Sequence, residues 1–192
     1  MTVEVQWPDH LLTLKDWIAL PEDSSRGYEL VEGVLVVSPR PVSLHQRAIW
    51  RLAAQLEPQV PSSHGVLTES EVVIDSGPYP TIRVPDLLAV PAAGIDANLP
   101  RWKAVDLLLA VEILSVGSKR TDRVTRFFEY ADAGIRYYWL VDLDEPASLI
   151  GYQLIDGNYE LMAEHRERGT LVLAGTPITI DITALTSNRV VP

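Results

Sequence analysis

The sequence predicts an α/β (α+β) fold in which a mixed central sheet is flanked by helices and followed by a β-rich C-terminal extension. Three observations carry this. Helix-spaced and strand-like segments alternate up to about residue 145. Residues 106–115, DLLLAVEILS, are too apolar for a half-exposed strand and suit a central one covered on both faces. Beyond about residue 146 the chain reads only as strands and turns. A length of 192 residues fits one domain, with a core over about 10–145 and the extension over about 146–185.

Taken in order, LTLKDWIAL before Pro21 reads as a short helix with Thr13 as N-cap. YELVEGVLVVSP reads as a hairpin turning at Glu32-Gly33 and ended by Pro39. In SLHQRAIWRLAAQLE the apolar residues Leu44, Ala48, Ile49, Leu52, Ala53 and Leu56 recur at helical spacing, with Ser43 as N-cap. Strands are expected at about 66–75 and 82–90, and a loop over 91–104, where Pro, Ala and Gly dominate. A second long helix is expected from about Lys119 to Ala133, with Val124, Phe127, Phe128 and Ala131 as its buried stripe and Gly134 as its cap. IRYYWLVDL is another strand, and the extension contains a hairpin turn at Asp156-Gly157.

Composition excludes several classes of function. There is no Cys, hence no disulfide framework and no thiolate zinc site. No apolar run approaches a membrane span, and MTVEVQWPDH lacks the basic and apolar regions of a signal peptide, so a cytoplasmic protein without membrane contact is expected. A net charge of −10 argues against a general nucleic-acid coat, since phosphate binding rests on Lys and Arg. Two basic islands stand out on this acidic chain: SKRTDRVTR at 118–126, and Arg40, Arg47 and Arg51 with His45 among them. They read either as a local anion site or as solvated helix faces. Walker, GxGxxG, GxSxG and HExxH motifs are all missing.

The informative residues are two acids in apolar surroundings. Alternation along the central strand places Leu108, Ala110, Glu112 and Leu114 on one face. The preceding strand, IRVPDLLAV, carries Asp86 in the same predicament. If the strands are neighbours, the two acids can converge at the strand ends beside a basic helix. Metal-assisted phosphodiester hydrolysis needs such a set: hard oxygen ligands for Mg²⁺, with waters and a substrate phosphate completing the shell. The competing reading makes both acids structural, paired with Arg83 or Arg123.

Together, YELVEGVLVVSP, RVPDLLAV and LLLAVEILSVGSKRTDRVTRFFEYADAGIRYYWLVD resemble the Uma2 (formerly DUF820) family of endonucleases, which has the PD-(D/E)xK, restriction-endonuclease-like fold. The resemblance covers roughly residues 10–185. It implies that Asp86 and Glu112 bind Mg²⁺ or Mn²⁺, with the backbone carbonyl of Ile113 as a third ligand and Glu29 in an assisting position. His45, Ser115 and Asp122 also match the family pattern, as accessory residues.

Two positions depart from that pattern. The parent motif has Lys two residues after the Glu, where this chain has Leu114. The family moves the cation to the following helix, four residues after the position of Asp122; that position is Arg126, not Lys. Arginine neutralises and orients a phosphate but cannot act as a base. Its ordinary alternative is an ion pair with Asp122 one turn earlier. Lys119 is a substitute cation. The expectation is a Mg²⁺- or Mn²⁺-dependent endonuclease acting on nucleic acid, with DNA as the expected substrate and a homodimer by analogy with the fold. The alternative is an interaction module that kept the nuclease fold without its catalysis.

Overall fold

The computed structural model describes residues 9–21, 25–114 and 124–187. Its first helix, α1 (Leu14–Ile18), is fixed by a capping box: the Thr13 hydroxyl accepts from the Asp16 N–H, and the Asp16 carboxylate accepts from the Thr13 N–H. Its buried Trp17 packs with Leu12, Leu30 and Ile82. The predicted hairpin follows as β1 (Gly27–Val31) and β2 (Val34–Ser38). Glu32 and Gly33 both take positive φ, 49° and 79°, the two-residue turn that matches strand twist.

The predicted strands at 66–75 and 82–90 each divide in two. The first becomes β3 (His64–Thr68) and β4 (Val72–Asp75), and the second β5 (Thr81–Arg83) and β6 (Leu87–Pro91). Proline at 85 cannot donate to a ladder, and Glu69 takes a positive φ, so both segments leave one sheet and join another at these breaks. β4 and β5 belong to a five-stranded sheet, β2-β1-β5-β4-β7, where β7 is Trp102–Lys103. β3 and β6 belong to a six-stranded sheet, β11-β10-β9-β8-β6-β3, in which β8 is Leu109–Leu114, β9 Tyr137–Asp142, β10 Ser148–Ile155 and β11 Asn158–His165. Asp86 therefore stands at the crossing between the two sheets, and its carbonyl accepts from the Glu69 N–H at 3.2 Å.

At the centre of the larger sheet is β8 (Leu109–Leu114), with all six residues buried. It pairs antiparallel with β6 and parallel with β9 (Tyr137–Asp142). The parallel pair requires a crossover, which contains α4 (Arg126–Asp132). Leu109, Val111 and Ile113 join one apolar cluster, with α2 (Ser43–Leu56) and the C-terminal strands. Ala110 and Leu114 join the other, with Tyr130 and Tyr138. Leu108 precedes β8 and packs with the first cluster, so it does not share the face of Glu112 as expected.

Other expectations are corrected locally. The cap of α2 is Val42, with Ser43 as the first helical residue. Residues 91–104 hold a short helix, α3 (Ala92–Asp96), and β7 rather than a plain loop. The N-terminal part of the predicted second long helix lies outside the described residues. In α4 the buried residues are Tyr130 and Ala131, while Val124 and Phe128 are 50% and 61% exposed. Arg126 and Tyr130, four residues apart, turn together toward Glu112, and this rotation brings Phe128 to the surface.

In the extension, β10 (Ser148–Ile155) and β11 (Asn158–His165) turn at Asp156-Gly157 as predicted. β12 (Arg168–Leu173) and β13 (Thr176–Asp181) form a separate pair. The outer edge of β13 is met by two side-chain amides, one from α2 and one from the turn that follows it. Gln55 accepts from the Asp181 N–H at 2.7 Å and donates to the Asp181 carbonyl at 3.2 Å. Gln59 does the same with Thr179, both at 2.9 Å. The last turn of the helix and the turn after it thus present two amides to alternate residues of a strand and satisfy an edge that would otherwise be unpaired.

The basic island on α2 has the same structural purpose. Arg51 donates to the carbonyls of Ala184, at 2.6 Å, and Ser187, at 2.8 Å, and Arg47 to that of Thr186 at 3.4 Å. These groups end the last helix, α5 (Thr183–Thr186), so Arg47 and Arg51 serve as structural caps of it. Substituting Gln55 by Ala removes both bonds to Asp181 and is expected to cost about 1–3 kcal/mol. Urea unfolding measures this, and an unchanged midpoint would show that the strand edge is satisfied without the helix.

Candidate metal and phosphate site

Four acids and two arginines meet where the two sheets join. Glu29 comes from β1, Arg83 from the end of β5, Asp86 from the crossing before β6, Glu112 from β8, and Arg126 and Glu129 from α4. His45 and Tyr130 complete the group from α2 and α4.

Glu112 is 3% exposed, and its Oε1 accepts from Arg126 Nη1 at 2.5 Å and from the Tyr130 hydroxyl at 2.7 Å. The other arm of the same guanidinium, Nη2, reaches both oxygens of Glu29 at 2.9 and 3.0 Å. Glu29 also accepts from the Val84 N–H and from Arg83 Nη1, each at 3.0 Å. Arg83 is buried and forks onto Glu129 at 2.7 and 2.8 Å. The result is a chain of alternating charge, Glu112–Arg126–Glu29–Arg83–Glu129, running from one sheet to the other. Arg83 is thus not the partner of Asp86 or Glu112, as one reading of the sequence had it.

Asp86 is held differently. Its Oδ2 accepts from the Ile113 N–H at 2.7 Å and lies 3.4 Å from His45 Nε2. His45 Nε2 in turn donates to the Ile113 carbonyl at 2.9 Å. The main chain of Ile113 is therefore read on both sides, by an acid at its N–H and an imidazole at its carbonyl. Burial presses His45 toward its neutral form, but the bond to Asp86 and its charge, the Ile113 carbonyl and the charge of Glu112 outweigh it and raise the pKa. Burial, then the Glu112 charge, push the Tyr130 hydroxyl well up, so it remains a neutral donor. Burial also works against the Arg83 charge, and the bond to Glu129 with the charges of Glu29 and Glu129 more than restores it.

Of the residues singled out in the sequence, the structure brings together Glu29, His45, Asp86, Glu112, Ile113 and Arg126. Ser115, Lys119 and Asp122 lie outside the described residues, as does Arg123. Leu114 is buried among apolar side chains and supplies no cation. Sequence reasoning missed Tyr130 and Glu129 altogether and raised Arg83 only as a structural partner. Spacing held a signal for the first two, since Glu129 and Tyr130 follow Arg126 by three and four residues.

The oxygens present suit a hard divalent cation. Asp86 Oδ2 and the Ile113 carbonyl both lie within 3.4 Å of one atom, His45 Nε2, so they already converge on a positively polarised donor. Among the described residues the cluster has four carboxylates against two guanidiniums, a deficit of two positive charges when His45 is neutral. No three His, Asp or Glu side chains form a cage among the described residues. Mg²⁺ does not require one, because it is commonly held by one or two carboxylates with waters and substrate phosphate.

The fold is restriction-endonuclease-like. A crystal structure of "a putative nuclease belonging to DUF820" from Anabaena variabilis ATCC 29413 superposes with a TM-score of 0.69, covering 91% of this chain and 97% of that one at 19% identity. The chain belongs to the Uma2 family, described as "Putative restriction endonuclease", whose pattern matches residues 14–184. No curated protein matches significantly. No helix among the described residues is long and apolar enough to cross a membrane.

Two outcomes follow from the geometry. Arg83→Met leaves Glu29 and Glu129 without their guanidinium and is expected to cost about 3–5 kcal/mol in chemical denaturation, the usual effect of breaking a buried pair on one side. The raised pKa of His45 means that the folded state binds its proton more tightly than the unfolded chain. That stabilisation is complete below the ordinary value of 6.5 and is lost as pH rises through the higher folded value. Unfolding of the metal-free protein from pH 5 to 9 measures this; a His45→Gln variant with the same pH dependence would exclude His45 as its source.

Proposed function

We propose that this protein is a Mg²⁺- or Mn²⁺-dependent endonuclease that hydrolyses phosphodiester bonds in DNA. The observation that carries the reading is the meeting of Asp86, the Ile113 carbonyl and Glu112 at the sheet junction, with a forked cation beside them. In this reading Asp86, Glu112 and the Ile113 carbonyl hold the cation. A cation held there would supply an acidified water and charge stabilisation for the phosphoryl oxygens.

The remaining roles belong to side chains of the chain itself. Glu29 fixes Arg126 through two bonds, and Arg126 offers the remainder of its fork to a phosphate oxygen. Arg126 cannot accept a proton from water, and Leu114 leaves no lysine on the strand to do so. Tyr130 orients Glu112 through its hydroxyl. On the family resemblance alone, Lys119 is proposed as a substitute cation and Ser115 and Asp122 as accessory residues. We assign the whole chain to one restriction-endonuclease-like domain with a β-rich extension, acting in the cytoplasm as a homodimer because a duplex presents two strands to cut.

The alternative, a non-catalytic interaction module of the same fold, draws on the engagement of Arg126 by both Glu29 and Glu112. Incubation of plasmid and single-stranded DNA with and without Mg²⁺ or Mn²⁺ decides between them. Metal-dependent cleavage that disappears in Glu112→Gln supports the nuclease. Absence of cleavage on every substrate, with DNA binding retained, supports the module. Titration calorimetry is expected to show Mn²⁺ binding that Asp86→Ala abolishes; binding of equal strength by that variant would remove Asp86 from the site.

A further inference from the structure

The Arg126 guanidinium already occupies Glu112. Its Nη1 shares Oε1 with the Tyr130 hydroxyl, while Nη2 straddles Glu29. A buried carboxylate held by a forked cation is well compensated, and a second cation on the same oxygen would meet the repulsion of the first. Among the described residues Arg126 makes two bonds to Glu29 and one to Glu112. Loss of the single bond would leave the side chain anchored by the double one.

We propose that Arg126 and the divalent cation exchange at Glu112. In the metal-free protein the guanidinium holds the carboxylate; when Glu112 serves a cation, Nη1 leaves it and the side chain stays tethered to Glu29. The inference rests on the metal-site reading given above and adds a consequence to it. An arm released from Glu112 presents its N–H donors beside the place where a phosphate would meet the cation, and guanidinium N–H groups fit phosphate oxygens. Metal loading and phosphate capture are then coupled through one residue. Arg126 lowers the affinity for free cation, and the cation is needed to free Arg126 for substrate.

Calorimetric titration with MnCl₂ of the wild type, Arg126→Gln, Arg126→Lys and Asp86→Ala tests this without relying on cleavage. Arg126→Gln is expected to bind Mn²⁺ at least about tenfold more tightly than the wild type. Arg126→Lys keeps the charge but offers one ammonium in place of the fork. It cannot make the double contact to Glu29 and the single contact to Glu112 together, so it is also expected to bind more tightly, by a smaller factor. If neither variant gains affinity, or if only the Gln variant does, exchange at Glu112 is overturned, the latter outcome reducing the effect to charge alone.

If Mn²⁺ binds neither the wild type nor the Arg126 variants in a manner abolished by Asp86→Ala, the metal site itself falls and the exchange with it. A measurement on the unaltered protein guards against variants that fail to fold. The arginine side-chain N–H resonances of the ¹⁵N-labelled wild type are expected to shift for Arg126 on addition of Mg²⁺ and to hold for Arg83. Unmoved Arg126 resonances at Mg²⁺ saturation would overturn the proposal.

Discussion

Glu112 sits on a strand buried along its whole length, where an uncompensated carboxylate would be among the most expensive groups to place. Among the described residues its compensation comes from α4, through Arg126 and Tyr130. Arg126 is itself divided between Glu112 in the six-stranded sheet and Glu29 in the five-stranded one. The crossover helix, the hairpin and the central strand therefore take their relative positions from one charge. Arg83 extends the same constraint, tying Glu29 back to Glu129 of that helix. Alternating ions of this kind contribute little net stability when compared with apolar packing of similar volume. Their effect is directional, since this arrangement gives Glu112, Glu29 and Glu129 each a guanidinium partner.

The second half of the site depends on the main chain. Asp86 is placed by the sheet crossing that Pro85 enforces, and it reads the Ile113 N–H across the gap to β8. His45 arrives from α2 and reads the carbonyl of the same residue. A shift of β8 by one residue would turn Glu112 away from Arg126 and break both contacts to Ile113. Register in the central sheet and geometry at the acids are thus the same quantity. The distant bonds of α2 gain significance here, because Gln55, Gln59, Arg47 and Arg51 fix the helix that delivers His45.

Much of this was legible in the sequence because it is local. The Thr13 capping box, the positive-φ turns at Glu32-Gly33 and Asp156-Gly157, and the apolar run of β8 are all determined within a few residues. The isolation of Glu112 and Asp86 was likewise visible, since a lone acid in an apolar run stands out wherever it folds. What could not be read was partnership across long separations. Arg83 to Glu129 spans 46 residues and Arg126 to Glu29 spans 97, so helix spacing suggested Asp122 for Arg126 instead. The division of residues 82–90 into two strands was hidden for a related reason. Pro85 signals an interruption, but only the tertiary fold shows that the chain changes sheets there.

The exchange of Lys for Arg and the burial of Leu114 can be understood together. Leu114 lies on the Glu112 face of β8, in the apolar cluster with Tyr130, Tyr138 and Leu140. An ammonium at that position would have to be desolvated among aromatic rings, at a cost that burial normally relieves by neutralising the amine. The charge placed on α4 avoids this and reaches Glu112 from the side, with Glu29 to share it. Arginine suits that location better than lysine, because a planar fork can bridge two carboxylates while a single ammonium cannot match both geometries. The same property removes it as a proton acceptor. Within the proposed nuclease reading, the group with an ordinary pKa near neutrality among the described residues of this site is His45, and its Nε2 is already committed to Ile113 and Asp86. In that reading, compensating the central acid with an arginine leaves the activation of water to whatever that acid binds.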